Sequence, residues 1–127
     1  MTSGTAGRWA IAAVSAAAVG TAGVGLAATK PPTKLSLKAE PGGDVKFTKS
    51  KLMTSARRVT LVMKNPGSSG LAHGVAVDGH GIDRKGKVVA PGKTSKVTVS
   101  VKPGKYTFYC PEEGHRAAGM KGKLIVK

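Results

Sequence analysis

From residue 34 onward, apolar and polar side chains alternate in short runs broken by glycine and proline. Leu35 and Leu37 alternate with polar partners, and Val45 and Phe47 do the same. Val59, Leu61 and Met63 mark a third run, closed by Asn65-Pro-Gly67. The segment His73–Val77 follows, then a turn-rich stretch and Val88-Val89. Val97, Val99 and Val101 alternate with Thr98, Ser100 and Lys102, and Tyr106–Cys110 and Leu124–Val126 complete the series. A period of two places alternate residues on one face of a strand, so each run buries one face and wets the other. About seven or eight short strands separated by turn signals predict an all-β, Greek-key sandwich. No long stretch after residue 28 has helical period, and no internal repeat is visible.

The first 28 residues follow another rule. Met1–Arg8 is short, polar and singly basic, and Trp9–Ala28 is an uncharged run rich in Ala, Val and Gly. This is the pattern of a secretory signal peptide, with Gly25-x-Ala27 as one plausible cleavage signal. Twenty apolar residues also suffice for an uncleaved membrane anchor, although so much Ala and Gly makes a weak one. With Arg8 on the inside, both readings export the C-terminal part. The expected organisation is a signal peptide or anchor over 1–28, a linker over 29–33 containing Pro31-Pro32, and one domain over 34–127. The expected location is periplasmic, extracellular or attached to the outer face of the cytoplasmic membrane.

Candidate chemistry concentrates in one loop. Cys110 is the only cysteine, His115 follows five positions later, and Met120 five beyond that. A single cysteine is commonly a small buried hydrophobe, and a lone histidine is usually unremarkable. Their joint spacing is what carries information. Thiolate and thioether are soft ligands and imidazole is borderline, and two His, one Cys and a weak Met suit copper in two oxidation states. Zinc, the rival metal, prefers four Cys/His donors in structural sites. A second histidine has to come from His73 or His80. Alternation turns His73 to the same face as Val75 and Val77, whereas His80 lies in the turn composition Asp78-Gly-His-Gly81. His73 is therefore the expected fourth donor. Met53 and Met63 read as core or strand filler, and Glu112 and Glu113 as a solvated turn.

A strand histidine followed by Tyr109-Cys110-x4-His115-x4-Met120-x-Gly122 resembles the small blue-copper proteins, the plastocyanin/azurin-like cupredoxins. The resemblance spans roughly residues 34–127 and includes Asn65-Pro-Gly, Ala90-Pro-Gly, Lys102-Pro-Gly-Lys-Tyr-Thr-Phe-Tyr-Cys110 and Gly119-Met-Lys-Gly-Lys-Leu-Ile-Val126. It implies a β-sandwich holding one copper ion, with Cys110 as the strong thiolate ligand, His73 and His115 as imidazole ligands and Met120 as the weak axial donor. Two departures stand out. Many relatives carry Asn directly after the first histidine, where this chain has Gly74, and plastocyanin has a shorter Cys-to-His spacing.

Charge narrows the partners. Lys and Arg number 21 against 6 Asp and Glu, a net charge of +15. Without residues 1–28 the count is 20 against 6, or +14. That part has no Trp, its four aromatic residues sit in strand patterns, and no nucleic-acid motif appears, so a nucleic-acid partner is not expected. An acidic redox protein (a cytochrome, oxidase or reductase) or an anionic membrane surface accounts for the excess better. The expected function is single-electron transfer by an exported, monomeric, non-enzymatic type 1 copper protein. Extracytoplasmic copper storage or delivery would use the same ligands. A basic sandwich binding polyanions without metal is the third reading.

Overall fold

The structure, a computed structural model, describes residues 30–127. The expected signal peptide or anchor lies outside the described residues. Eight strands follow one another: β1 (Thr33–Lys38), β2 (Lys51–Thr54), β3 (Arg58–Lys64), β4 (Ala76–Gly79), β5 (Ile82–Lys85), β6 (Thr94–Ser100), β7 (Gly104–Tyr109) and β8 (Lys121–Val126). They form a three-stranded sheet ordered β1-β3-β6 and a five-stranded sheet ordered β2-β8-β7-β4-β5. β1 runs parallel to β3 and β2 parallel to β8, and the remaining pairs are antiparallel. Non-consecutive neighbours such as β4 and β7 arise because the chain crosses between the sheets, as a Greek-key sandwich requires.

Alternation locates the core where it is cleanest. In β6 Ser95, Val97 and Val99 point inward while Thr94, Lys96 and Ser100 are exposed. Opposite them, Val59, Leu61 and Met63 of β3 are fully buried. From the other sheet come Tyr106, Phe108 and Leu124. Phe47 packs on Phe108 with ring centroids 5.4 Å apart. Burying each such side chain stabilises the fold by about 1.5–3 kcal/mol. Phe108 has room because its cross-strand partner is Gly122, where a Cβ would collide with the Phe108 ring.

Several expectations change. Val45 and Phe47 do not form a strand; Phe47 makes only an isolated bridge to Ala39, and β2 forms instead at Lys51–Thr54. Four residues with one buried side chain, Leu52, give too weak a period to detect. β5 was hidden for the same reason, since Asp83, Arg84 and Lys85 are all exposed at the sheet edge. Val88-Val89 is no strand either, and Val89 only bridges His73. β4 starts at Ala76, three residues after His73. The run His73–Val77 is buried at every position, because its small alternate residues, Gly74 and Ala76, are covered as well. The two methionines do match expectation: Met63 is core, and Met53, 47% exposed, is filler on β2. β1 begins at Thr33, inside the expected linker.

Candidate metal centre

His73 is held by backbone bonding to Val89 in both directions: its N–H donates to the Val89 carbonyl (3.1 Å) and its carbonyl accepts from the Val89 N–H (2.8 Å). Asn65, fully buried directly after the end of β3, braces this arrangement. Its Nδ2 donates to the carbonyls of Leu71 (2.8 Å) and Val89 (2.9 Å), and its Oδ1 accepts from Ser69 Oγ (2.5 Å). Its main chain bonds Gly92 and Lys93. One amide side chain thus joins the loop entering His73 to the bridge partner of His73. The sequence offered no clue to this role, because Asn-Pro-Gly reads as turn composition.

Gly74 explains the absent asparagine after the first histidine. A Cβ there would lie 2.7 Å from the Lys87 carbonyl oxygen, so the chain at 87–88 can approach only because residue 74 has no side chain. The Gly74 N–H instead donates to Cys110 Sγ at 3.4 Å.

Cys110 follows β7 directly, and the loop Pro111–Gly119 returns the chain to β8. This loop is wound on itself. His115 N–H donates to Glu112 O (3.0 Å), Ala118 N–H is shared by Gly114 O and His115 O, and Gly119 N–H donates to Arg116 O (3.0 Å). At its base, Cys110 N–H donates to Met120 O (3.1 Å) and Met120 N–H to His115 O (3.0 Å). The residues spaced five apart in sequence are thereby locked side by side. Met120 is fully buried, and His115 is half-buried.

Three donor atoms converge. His73 Nδ1 and His115 Nδ1 are 3.2 Å apart, and Cys110 Sγ lies 4.0 Å from the first and 3.6 Å from the second. The point equidistant from all three is about 2.1 Å from each, close to the metal–imidazole length of about 2.0–2.1 Å and somewhat under the metal–thiolate length of about 2.3 Å for a first-row divalent ion such as zinc. Among the described residues this is the one cluster of three His, Cys, Asp or Glu donors able to hold a metal. His80 is not part of it. It is exposed in the β4–β5 turn, with φ of 50°, and its ring lies 4.7 Å from that of Tyr106.

The surroundings shape the ligands' acidity. Burial holds the His73 imidazole below its ordinary pKa, and positive charge on His115 pushes the same way, with Glu112 partly opposing. The first two effects favour the neutral imidazole, which has a lone pair to offer. Its Nε2 is the one buried side-chain polar atom without a partner among the described residues. Burial pushes the Cys110 thiol up, while N–H bonds from Gly74 and Glu112 pull it down. Those two N–H groups would stabilise the sulfur as a thiolate. The donor set of soft sulfur and borderline nitrogen in a water-excluded pocket fits a copper ion cycling between Cu(I) and Cu(II).

Comparison with known proteins agrees with this chemistry. The sequence profile of the copper binding proteins, plastocyanin/azurin family, matches residues 33–127. Among solved structures, the fold is similar to auracyanin B, at 22% identity and a TM-score of 0.68, covering 78% of this chain and 92% of that one. It is also similar to auracyanin A, described as a "blue" copper protein from the green thermophilic photosynthetic bacterium Chloroflexus aurantiacus, at 20% identity and a TM-score of 0.62, covering 76% and 100%. A third similar structure is the dithionite-reduced auracyanin of Roseiflexus castenholzii, at 21% identity and a TM-score of 0.61, covering 77% and 99%. The chain belongs to the plastocyanin/azurin family of copper-binding proteins, and its cofactor is one copper ion.

Proposed function

We propose that this protein is an exported type 1 copper protein that carries single electrons between redox partners, one of them acidic. The observation that carries the reading is the convergence of His73 Nδ1, His115 Nδ1 and Cys110 Sγ, separated by 3.2–4.0 Å. Cys110, His73 and His115 would hold the ion, with Met120 as the weak axial donor. Copper supplies a one-electron couple.

The protein's part is to keep the donors still, so that electron movement needs little rearrangement. His73 is fixed by Val89 and Asn65, and Cys110 by the Gly74 N–H and the Met120 carbonyl. Half-buried His115 offers the path between the pocket and the surface. No substrate chemistry belongs to this reading.

The test is a Cu(II) titration followed by visible absorption. Wild type should develop an intense sulfur-to-copper charge-transfer band. Cys110→Ser should lose it, because a hydroxyl cannot replace thiolate. Met120→Leu should keep colour and copper but show a higher reduction potential, since an axial donor is gone. His73→Ala should damage both affinity and spectrum, whereas His80→Ala should change neither. Weak colour with tight Cu(I) binding would instead mean copper storage or delivery. Retained intense colour in Cys110→Ser would overturn the ligand assignment.

A further inference from the structure

We propose that Arg116 is a positioning residue for the metal-binding loop: it straps the His115 turn to the five-stranded sheet and so sets His115 against Cys110 and His73. The loop needs such a fastening. Between Pro111 and Gly119 no side chain is fully buried, and the backbone bonds of the loop run within itself or to its base at Cys110, Met120 and Lys121. Hydrophobic packing therefore cannot anchor its tip. Arg116, the residue after His115, reaches back across the sheet. Its guanidinium Nη1 pairs with Asp78 Oδ2 on β4 at 2.8 Å, and its Cζ stands 4.1 Å from the centre of the Tyr109 ring.

Both contact points lie on paired strands of the sheet. Tyr109 closes β7 beside Cys110, is 4% exposed, and donates from its hydroxyl to Asp83 Oδ1 on β5 at 2.6 Å. Asp83 is paired in turn with Lys85 at 3.0 Å. Asp78 stands directly across from Asp83 in the β4–β5 pair. The strap thus joins the loop to β4 and β7 directly, and to β5 through Tyr109, using planar stacking and a directed N–H, which lysine cannot combine. Among the described residues, no other side chain of the loop apart from His115 itself makes a hydrogen bond, ion pair or ring contact to the sheets.

The pair is partly exposed, with side chains 44% and 31% accessible, so its strength is modest. An ion pair of that kind together with a cation over a ring slows loop opening on the order of tenfold. The inference rests on the copper reading only in calling this the ligand loop; the strap itself exists without metal.

The decisive measurement is amide hydrogen exchange on the metal-free protein. Arg116→Gln should speed exchange of His115, Ala118 and Gly119, whose amides are bonded inside the loop, on the order of tenfold. Asp78→Asn should reproduce part of that change. The double variant should add nothing beyond Arg116→Gln, and amides of β3 should keep their rates. Lys105→Gln, which removes a remote charge, should have no effect on the loop. In the copper-loaded protein Arg116→Gln should also shift the charge-transfer band and hasten copper loss to a chelator, and Arg116→Lys should restore only part of the wild-type spectrum. Loop exchange within twofold of wild type in Arg116→Gln would overturn the proposal, as would equal acceleration at all amides. Absence of a charge-transfer band in wild type would defeat the electron-carrier reading instead, leaving the exchange result to judge the strap.

Discussion

Asn65 shows how much of a metal site can depend on a residue that never meets the metal. Its amide fills three hydrogen-bonding roles in a fully buried place, and no apolar side chain could satisfy the carbonyls of Leu71 and Val89 together with the Ser69 hydroxyl. Without the amide the Val89 carbonyl still has the His73 N–H and the Leu71 carbonyl still has the Ser69 hydroxyl, so three hydrogen bonds are lost but each partner keeps one. A buried hydrogen bond contributes about 0.5–1.5 kcal/mol net, so losing three should make Asn65→Ala destabilise the metal-free protein by about 2–4 kcal/mol. Chemical denaturation checks this, and copper affinity should fall with it because Val89 positions His73. A loss below about 1 kcal/mol would mean that water replaces the amide without strain. Gly74 is the opposite case, where function depends on the absence of a side chain.

Among the elements, the β4–β5 hairpin and the end of β7 form a charged cluster outside the core. Asp83 is held below the usual carboxylate range, first by the hydrogen bond from Tyr109 and then by Lys85. Tyr109 is pushed above the ordinary phenol value, first by burial and then by the hydrogen bond to Asp83. The two shifts define a pH window. A lowered carboxyl pKa stabilises the fold above the unfolded value of about 3.9 and stops doing so as pH falls through the native value. A raised phenol pKa stabilises it below about pH 10 and stops doing so as pH rises through the native value. Tyr109→Phe should therefore melt below wild type between about pH 4 and pH 10, with the gap closing on both sides. Lys85 does not cancel in the difference, because its pKa is raised first by Asp83 and then by Tyr109, so the upper edge of the window reports Tyr109 and Lys85 together. Melting curves from pH 3 to pH 11 test this, and a gap independent of pH would show that Tyr109 contributes only packing.

On the scale of the whole molecule the dominant feature is uncompensated positive charge. Lys85 and Arg116 alone among the described basic residues are in ion pairs, and the rest of the +14 faces solvent or neutral groups. Such a field extends about one Debye length, roughly 8–10 Å near physiological salt, and can raise association rates by about 10–10³-fold. Electron exchange with an acidic partner should be fast at low ionic strength and slow steeply as salt is added. A basic partner should show the reverse, because salt relieves repulsion. Stopped-flow measurements with one acidic and one basic cytochrome across a salt series provide the check. Flat dependence with both would assign the lysines to solubility.

The local pattern alone determined the sandwich class, because a period of two with frequent Gly and Pro signals leaves few other architectures. The spacing of Cys110, His115 and Met120 likewise made the loop conspicuous, since donors five residues apart need only one tight turn to meet. Where a strand buries few side chains, as in β2 and β5, the pattern has too little contrast, and pairing with a neighbour decides the element. Tertiary structure also decided what holds the donors. The approach of the 87–88 backbone to Gly74, the reach of Asn65 to Val89 and the pairing of Arg116 with Asp78 all join residues distant in sequence. Close contacts of that kind leave no periodic trace in the chain, because each depends on a single atom-to-atom approach set by the packing of the two sheets.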